Sequence, residues 1–231
     1  MTRVQEIREG LDEVRARITR ACDAAGRPDD VTLIVVTKTF PASDVRILGE
    51  LGVTDVGENR HQEASAKALA CADLELTWHM IGQLQRNKAA AVRTWADVIQ
   101  TIDRGELADA VGRAARNAES VQDVLLQVSL DVPVRDDRGG CAPVDVEGLC
   151  NRITADPGLR LRGVMAVAPY PGDPQEAFAR LAEVTLRVQA LVPTATMVSA
   201  GMSDDLEAAI AHGATHVRVG SAVLGRRPAL Q

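Results

Sequence analysis

The sequence predicts a closed barrel of eight parallel β-strands, a (β/α)8 TIM barrel, with one extra helix before the first strand. Its length of 231 residues lies close to the roughly 250 residues typical of this fold. Eight short β-branched runs alternate with stretches of helical period, a pattern typical of parallel strands joined by crossover helices. We find no linker, so we expect a single domain spanning residues 1–231.

An open doubly wound sheet is the alternative architecture for alternating strands and helices. That sheet often carries a GxGxxG turn after its first strand or a Walker-type GxxxxGK[ST] loop. This chain has neither motif. The barrel is therefore the favoured prediction.

The first element is an amphipathic helix. Apolar residues recur at spacings of three and four, which is the period of one helix face. They are Val4, Ile7, Leu11, Val14 and Ile18. The helix should end near Gly26 and Pro28 and should cap or flank the barrel.

The strands and the remaining helices follow in alternation. The predicted strands are VTLIVVT from Val31, VTDVGE from Val53, TWHMIG from Thr77, VIQTI from Val98, VLLQVSL from Val124, LRGVMAVA from Leu161, ATMVSA from Ala195 and HVRVGS from His216. The predicted helices include Ser43 to Leu51, Glu63 to Leu69, Glu106 to Ala118, Gln175 to Leu191 and Asp204 to Ala211. The charged, Gly- and Pro-containing stretch Asp131 to Pro143 is predicted to be a mobile loop after the fifth strand.

The composition favours a small-molecule partner. The net charge of -6 and the pI of about 5.3 provide no basic surface for nucleic acid or anionic lipid. No apolar run approaches the roughly 20 residues that span a bilayer, and the charged N-terminus differs from a signal peptide. We expect a cytoplasmic protein that binds neither nucleic acid nor membrane and is a monomer or a weak homodimer. The scattered cysteines and histidines predict no metal site.

In a barrel of this kind the active site lies at the C-terminal ends of the strands. The residues at these ends are the candidates for chemistry. They are Lys38, Glu58, Asn59, His79, Gly82, Met165, Tyr170, the stretch Ser199 to Ser203, Arg218, Gly220 and Ser221.

Lys38 is the most informative candidate, because it ends the first strand. A desolvated lysine has a lowered pKa, and its neutral amine can attack a carbonyl to form a Schiff base. The alternative is that Lys38 extends out of the barrel mouth or pairs with Glu58. The residues alone leave both interpretations open.

The last two strand ends indicate an anion site. SAGMSDD from Ser199 and VRVGSA from Val217 each place Gly and Ser just before a helix, where backbone N–H groups favour an anion. The loops after strands seven and eight are also the usual phosphate site of this fold. Ser203 could instead serve only as a helix N-cap, and Asp204 and Asp205 would repel a dianion unless they point to solvent.

Arg218 lies within an otherwise apolar strand. An unpaired guanidinium would be costly at such a position. Its partner could be a structural carboxylate or, as the more specific hypothesis, an atom of a cofactor.

A set of motifs in one order resembles the family of pyridoxal phosphate homeostasis proteins, which is related to the barrel domain of alanine racemases. The motifs are VTKTFP around Lys38, GENRHQE from Gly57, WHMIGQLQRNK from Trp78, TIDR from Thr101, RGVMAVAP from Arg162 and SAGMSDDLEAAIAHGATHVRVGSAVLG from Ser199. The resemblance covers nearly the whole chain. It implies the barrel of pyridoxal 5′-phosphate (PLP) fold type III, here without the C-terminal β domain of the racemases.

The resemblance also implies a set of cofactor-binding residues. Lys38 would hold PLP as a Schiff base, Arg218 would face the pyridine nitrogen, and Asn59 and His79 would lie beside the ring. Met165 is included in the same set. The phosphate contacts implied by the resemblance are Ser199, Gly201, Met202, Ser203, Gly220 and Ser221.

Three functions are compatible with these residues. The leading hypothesis is a PLP-binding protein of vitamin B6 and amino-acid homeostasis, without robust catalysis, whose partners are PLP and PLP-dependent apo-enzymes. An arginine leaves the pyridine nitrogen unprotonated and weakens the ring as an electron sink. The alternative is a racemase of the alanine racemase type, for which Tyr170 could be a second base. A Schiff-base aldolase is the third, but it leaves Arg218 without a role.

Overall fold

The computed structural model describes residues 2–135 and 137–225 of the chain. Eight parallel strands form a closed barrel in the order β1 to β8, and each strand pairs with its neighbours in the chain while β8 pairs with β1. This architecture confirms the predicted barrel, and a strand lies within each of the eight predicted runs or overlaps it. The strands are β1 Thr32–Val36, β2 Asp55–Glu58, β3 Thr77–Met80, β4 Val98–Ile102, β5 Gln122–Val128, β6 Leu159–Ala166, β7 Met197–Ser199 and β8 His216–Val219.

Helices surround the barrel, and each predicted helical stretch contains or overlaps one of them. The helices are α1 Arg3–Ala24, α2 Ala42–Glu50, α3 His61–Ala70, α4 Ala89–Val92, α5 Gly105–Asn117, α6 Val146–Thr154, α7 Pro174–Leu191, α8 Leu206–Ala211 and α9 Ser221–Leu224. A 3-10 turn at Arg86–Lys88 precedes α4. The sequence analysis gave no bounds for α4, α6 or α9, and α4 and α9 are too short to show a helical period.

The extra helix α1 flanks the barrel, as predicted. It packs against α8 and α9 with its apolar stripe buried, although Val4 at its start stays 38 % exposed. Arg17 Nε donates to Glu207 Oε1 at 2.8 Å, and Arg3 Nη2 donates to Asp44 Oδ2 at 2.6 Å. These contacts tie α1 to α8 and α2.

Apolar side chains form two layers of core. Inside the barrel, Val98, Leu125 and Met165 pack together. A larger cluster fills the space between the strands and the helices, where side chains that alternate with the inward ones point outward. The inward positions nearer the C-terminal ends of several strands are polar, and there the barrel opens.

In the segment predicted as a mobile loop, Asp131 to Pro143, the described residues 131–135 and 137–143 form an irregular connection between β5 and α6, and the mobility stays a prediction. It turns back onto the end of β5, where Cys141 N donates to Gln127 O at 2.8 Å and Ser129 N donates to Cys141 O at 2.9 Å. Within the described ranges, no helix has both the length and the apolar character to cross a bilayer.

Candidate functional site

A cavity of about 350 Å³ opens at the C-terminal ends of the strands. Its volume is at the lower end of the roughly 300–1,000 Å³ typical of small-molecule sites. Five of its lining residues have apolar side chains, and the polar ones include one lysine and one arginine. The lining residues are Val36, Lys38, Phe40, Asn59, Ile81, Val167, Met202, Ser203, Asp204, Arg218, Gly220 and Ser221.

Lys38 lies two residues beyond the end of β1 and lines the cavity, where its side chain is half-buried. Asn59 lines the neighbouring wall one residue beyond β2. The loop after β3 approaches Asn59 so closely that a Cβ atom at Gly82 would lie 2.3 Å from the Asn59 carbonyl oxygen. Only glycine allows this approach, so the β3 loop can close the wall behind Asn59.

Arg218 is the buried cation of the cavity, with 4 % of its surface exposed. Its Nη1 donates to Ser199 Oγ at 2.7 Å and its Nη2 donates to Ala166 O at 2.8 Å. Burial lowers the pKa of the guanidinium to about 10, and Asp205 only partly opposes that effect. Both acceptors are neutral oxygens, so the charge of Arg218 is held without a hydrogen-bonded carboxylate among the described residues.

A chain of hydrogen bonds runs from Arg218 through the barrel interior. Ser199 Oγ donates to Gln100 Oε1 at 2.7 Å. Gln100 Nε2 lies 2.9 Å from His79 Nδ1, and His79 Nε2 lies 2.8 Å from Asp55 Oδ1. We call this series, Arg218, Ser199, Gln100, His79 and Asp55, the interior chain. It connects a cation at the cavity to a carboxylate lower in the barrel.

The lower end of the interior chain has its own electrostatics. Burial opposes ionisation of Asp55, but hydrogen bonds from His79 and Thr54 outweigh it and lower the pKa of the carboxyl. His216 lies nearby, and burial together with repulsion from His79 lowers the pKa of its ring to about 4. His216 is therefore neutral at pH 7.

The loop after β7 places a carboxylate on a backbone donor. Gly201 has φ +91°, a left-handed conformation that favours glycine, and a Cβ there would lie 2.7 Å from Ala209 Cβ. Met202 N donates to Asp205 Oδ1 at 2.5 Å, and Asp204 lines the cavity. The two aspartates thus lie at the loop that was predicted to bind phosphate.

The structure brings seven of the eleven predicted site residues to one cavity. They are Lys38, Asn59, Met202, Ser203, Arg218, Gly220 and Ser221. Of the other four, Ser199 and His79 lie in the interior chain and Met165 in the barrel core, all without lining the cavity. Gly201 is buried in the turn before Met202.

The sequence analysis missed Gln100, which connects His79 to Ser199. A glutamine within the apolar run VIQTI was the available signal, and it is fully buried. The analysis also allowed a pair between Lys38 and Glu58. In the structure Glu58 Oε1 accepts from Lys67 Nζ at 2.7 Å and from Thr37 Oγ1 at 2.7 Å. The partner of Glu58 is thus a lysine that the sequence analysis did not consider.

Tyr170, the single tyrosine of the chain, is 91 % exposed and does not line the cavity. Another cavity, of about 430 Å³, lies at the opposite end of the barrel between α1 and the start of β1. Arg15, Thr19 and Asp29 contribute to its wall, together with Thr32 on β1. In barrels of this kind that end relates to stability and not to catalysis.

Comparison with known proteins gives one consistent family. The model of the alanine racemase N-terminal domain matches residues 10–228. A pyridoxal phosphate homeostasis protein of Mycobacterium tuberculosis is 42 % identical over 246 residues, covering 97 % of this chain and 94 % of that protein. A protein of the same name from Pseudomonas aeruginosa is 41 % identical over 226 residues and covers 96 % of each chain.

Solved structures agree with this grouping. PipY of Synechococcus elongatus with PLP bound is 33 % identical, with a TM-score of 0.83 over 95 % of this chain and 100 % of that one. An alanine racemase of Clostridium difficile is 13 % identical, with a TM-score of 0.76 over 97 % of this chain and 57 % of that one. At that identity the racemase shares the fold alone.

Proposed function

The chain belongs to the family of pyridoxal phosphate homeostasis proteins, and from this premise we propose that it binds pyridoxal 5′-phosphate on Lys38 and acts in intracellular vitamin B6 and amino-acid homeostasis. The observation that supports this most directly is that Lys38 and Arg218, at the ends of β1 and β8, line the same cavity. A group with an aldehyde and a basic ring nitrogen can use both residues at once.

Arg218 fits the ring nitrogen of such a group. The guanidinium is buried, and Ser199 Oγ and Ala166 O, which accept its hydrogen bonds, are neutral oxygens. A further acceptor atom on the cavity side would stabilise the buried charge. An unprotonated pyridine nitrogen is an acceptor of this kind. Arginine does not give up its proton at neutral pH, so it can only donate to that nitrogen.

Lys38 fits the aldehyde. Lys38 would hold pyridoxal phosphate through its amine, and the cofactor would supply the aldehyde with which that amine condenses, releasing water. The half-buried position of Lys38 at the cavity wall provides less solvation for the ammonium than the surface would. The chain contains three lysines, Lys38, Lys67 and Lys88, and Lys38 is the one that lines this cavity.

The loops after β7 and β8 are proposed to take the phosphate. Met202, Ser203, Gly220 and Ser221 line the wall at these loops. The carboxylate of Asp205 already accepts from Met202 N, so a phosphate that used this donor would have to displace it. The proposal requires no such displacement at Ser203, Gly220 or Ser221.

We propose that turnover is weak or absent. Racemisation needs an electron sink and two bases on opposite ring faces. Arg218 disfavours a protonated ring nitrogen, and Tyr170, the candidate for a second base, is exposed and away from the cavity. A racemase of this type would nevertheless exchange the Cα hydrogen of an L-amino acid for solvent deuterium and produce the D-isomer, which a carrier would not.

Further elements of the proposal are a single barrel domain over residues 1–231, a cytoplasmic location, a monomer or weak homodimer, and PLP-dependent apo-enzymes as acceptors of the cofactor. Mixing the PLP-loaded protein with an apo-enzyme and following the recovery of its activity would test the last point. A rate no faster than that with free PLP at the same concentration would count against transfer.

The central test is covalent labelling of Lys38. We expect visible absorption after incubation with PLP, and a borohydride-stable pyridoxyl label on the Lys38 peptide. Lys38→Ala should abolish both the absorption and the fixed label, whereas Lys88→Ala should keep them. Absence of PLP-dependent absorption in the wild-type protein, or equal labelling of all three lysines, would reject the proposal.

A further inference from the structure

A buried ionic cluster lies behind the segment that carries Lys38. Lys67, on α3, is 6 % exposed although lysines are rarely so buried without partners. Its Nζ donates to Thr37 O at 2.7 Å, to Glu58 Oε1 at 2.7 Å and to Glu63 Oε1 at 2.5 Å. The three protons of the ammonium are thus all used, and we call Lys67, Glu58 and Glu63 the rear cluster.

The rear cluster contacts the residues on both sides of Lys38. Before it, Thr37 accepts from Lys67 through its carbonyl and donates from Oγ1 to Glu58 Oε1 at 2.7 Å. After it, Thr39 N donates to Glu63 Oε1 at 2.5 Å. The backbone of Lys38 is therefore held at two adjacent positions by groups that share one ammonium.

The backbone at Thr39 requires such support. Thr39 has φ +71°, in the left-handed region that a β-branched residue rarely adopts. Strained residues of this kind persist where their surroundings impose the conformation, and they concentrate at functional sites. Phe40 N donates to Thr37 O at 3.0 Å and closes the turn, and the bond from Thr39 N to Glu63 adds a second contact on the far side of Lys38.

Contact with a ligand in the cavity at the strand ends does not explain the rear cluster. Alternate residues of a strand point to opposite sides, so Glu58 points away from the cavity that Asn59 lines. Lys67 and Glu63 also lie outside the wall of that cavity, and they line a separate open groove together with Thr39 and Phe40. Glu58 Oε2 is buried without a hydrogen-bond partner, and burial raises the pKa of this carboxyl despite the bonds from Lys67 and Thr37. Such an arrangement is costly, and a more apolar one would serve stability alone.

We propose that Lys67 and Glu63 are positioning residues for Lys38: through Thr37 and Thr39 they fix the backbone so that the amine of Lys38 points into the cavity. The inference rests on the proposed function for its consequence, the attachment of PLP, but not for the geometry itself. The rear cluster acts on Lys38 from behind the barrel wall and does not touch the cofactor.

Glu63 provides the sharpest test because its side chain is 31 % exposed, so its replacement should leave the fold intact. Glu63→Ala removes the acceptor for Thr39 N, and we expect the apparent affinity for PLP and the rate of labelling at Lys38 each to fall about tenfold. Glu63→Gln keeps an oxygen at the Oε1 position and should restore most of both. A merely structural role would lower the melting temperature in Glu63→Ala without changing affinity or rate.

A second variant and a cofactor-free measurement keep the test independent of the proposed function. Glu58→Gln combined with Lys67→Met removes the buried charges as a pair and should fold, yet it should label Lys38 slowly. In protein without PLP, amide hydrogen exchange at Thr39 and Phe40 should be about tenfold faster in Glu63→Ala than in Glu63→Gln. Equal exchange in the two variants would overturn the inference, whether or not the wild type binds PLP. If the wild type shows no absorption with PLP, only the proposed function fails.

Discussion

Two buried polar networks lie on opposite sides of the same barrel wall, and they are built differently. The interior chain separates its cation, Arg218, from its carboxylate, Asp55, by three side chains. The rear cluster places Lys67 in direct contact with two carboxylates. The middle member of the interior chain is the neutral amide of Gln100, whereas the middle member of the rear cluster is the ammonium of Lys67.

The difference teaches how each network would fail. Removal of the middle of the interior chain leaves neutral donors and acceptors without partners, which costs roughly 1–3 kcal/mol for each buried group. Removal of the middle of the rear cluster leaves a buried carboxylate without its counterion, which costs roughly 3–5 kcal/mol. Three experiments can break or sharpen this contrast.

The largest expected effect is that of Lys67→Met. Because Glu58 is fully buried, loss of its counterion should lower the free energy of unfolding by about 4 kcal/mol, as measured by urea denaturation. The matched control is Glu58→Gln added to Lys67→Met, which removes the stranded carboxylate and should recover most of the loss. A loss below about 1 kcal/mol in Lys67→Met would mean that direct ionic contact does not distinguish the rear cluster.

Gln100→Leu should have the next largest effect. It leaves His79 Nδ1 without its partner and the Ser199 hydroxyl without an acceptor for its hydrogen, so we expect a loss of about 3 kcal/mol in the free energy of unfolding. Gln85→Leu, at an exposed glutamine, should change stability by less than about 0.5 kcal/mol and serves as the control. If Gln100→Leu costs more than Lys67→Met, the contrast between the networks is reversed.

The smallest effect concerns pH at the lower end of the interior chain. The ring of His216 has a pKa of about 4 in the fold, below its ordinary 6.5, so between these values the unfolded chain binds the extra proton. Its contribution to stability is present above pH 6.5 and is lost as the pH falls toward 4, by about 2 kcal/mol for this partly exposed ring.

The measurement is the free energy of unfolding from pH 7 to pH 4 in the wild type and in His216→Gln. Subtracting the two curves removes the shared titration of the carboxylates. As the pH falls through 6.5, the free energy of unfolding should decrease more steeply in the wild type than in His216→Gln. Parallel curves would show that Asp55, His79 and Arg162, the charged groups around the ring, leave its pKa at the ordinary value.

The barrel could be predicted from the sequence because each strand carries a local signal. β-branched runs and helical periods repeat eight times, and the rule that strand ends line the site selects residues before any contact is known. Lys38, Asn59 and Arg218 were found in this way and meet at one cavity.

The two networks were not predictable by the same rules. Lys67 lies in a helical stretch of alanines and polar residues, where a lysine is ordinarily solvated, and only the packing of α3 against β1 and β2 buries it. Gln100 connects residues that are 21 and 99 positions away in the chain. Contacts between residues so far apart in the chain leave no periodic pattern in the local sequence, so they cannot be predicted from a short stretch of it.

The ends of the interior chain dictate every proton position between them. A guanidinium can only give and an ionised carboxylate can only receive, so Ser199, Gln100 and His79 must each pass their hydrogens in one direction, toward Asp55. This fixes the amide orientation of Gln100 and places a hydrogen of His79 on Nε2, facing Asp55. The barrel axis thereby acquires a built-in polarity, and inverting it would require Asp55 to take up a proton.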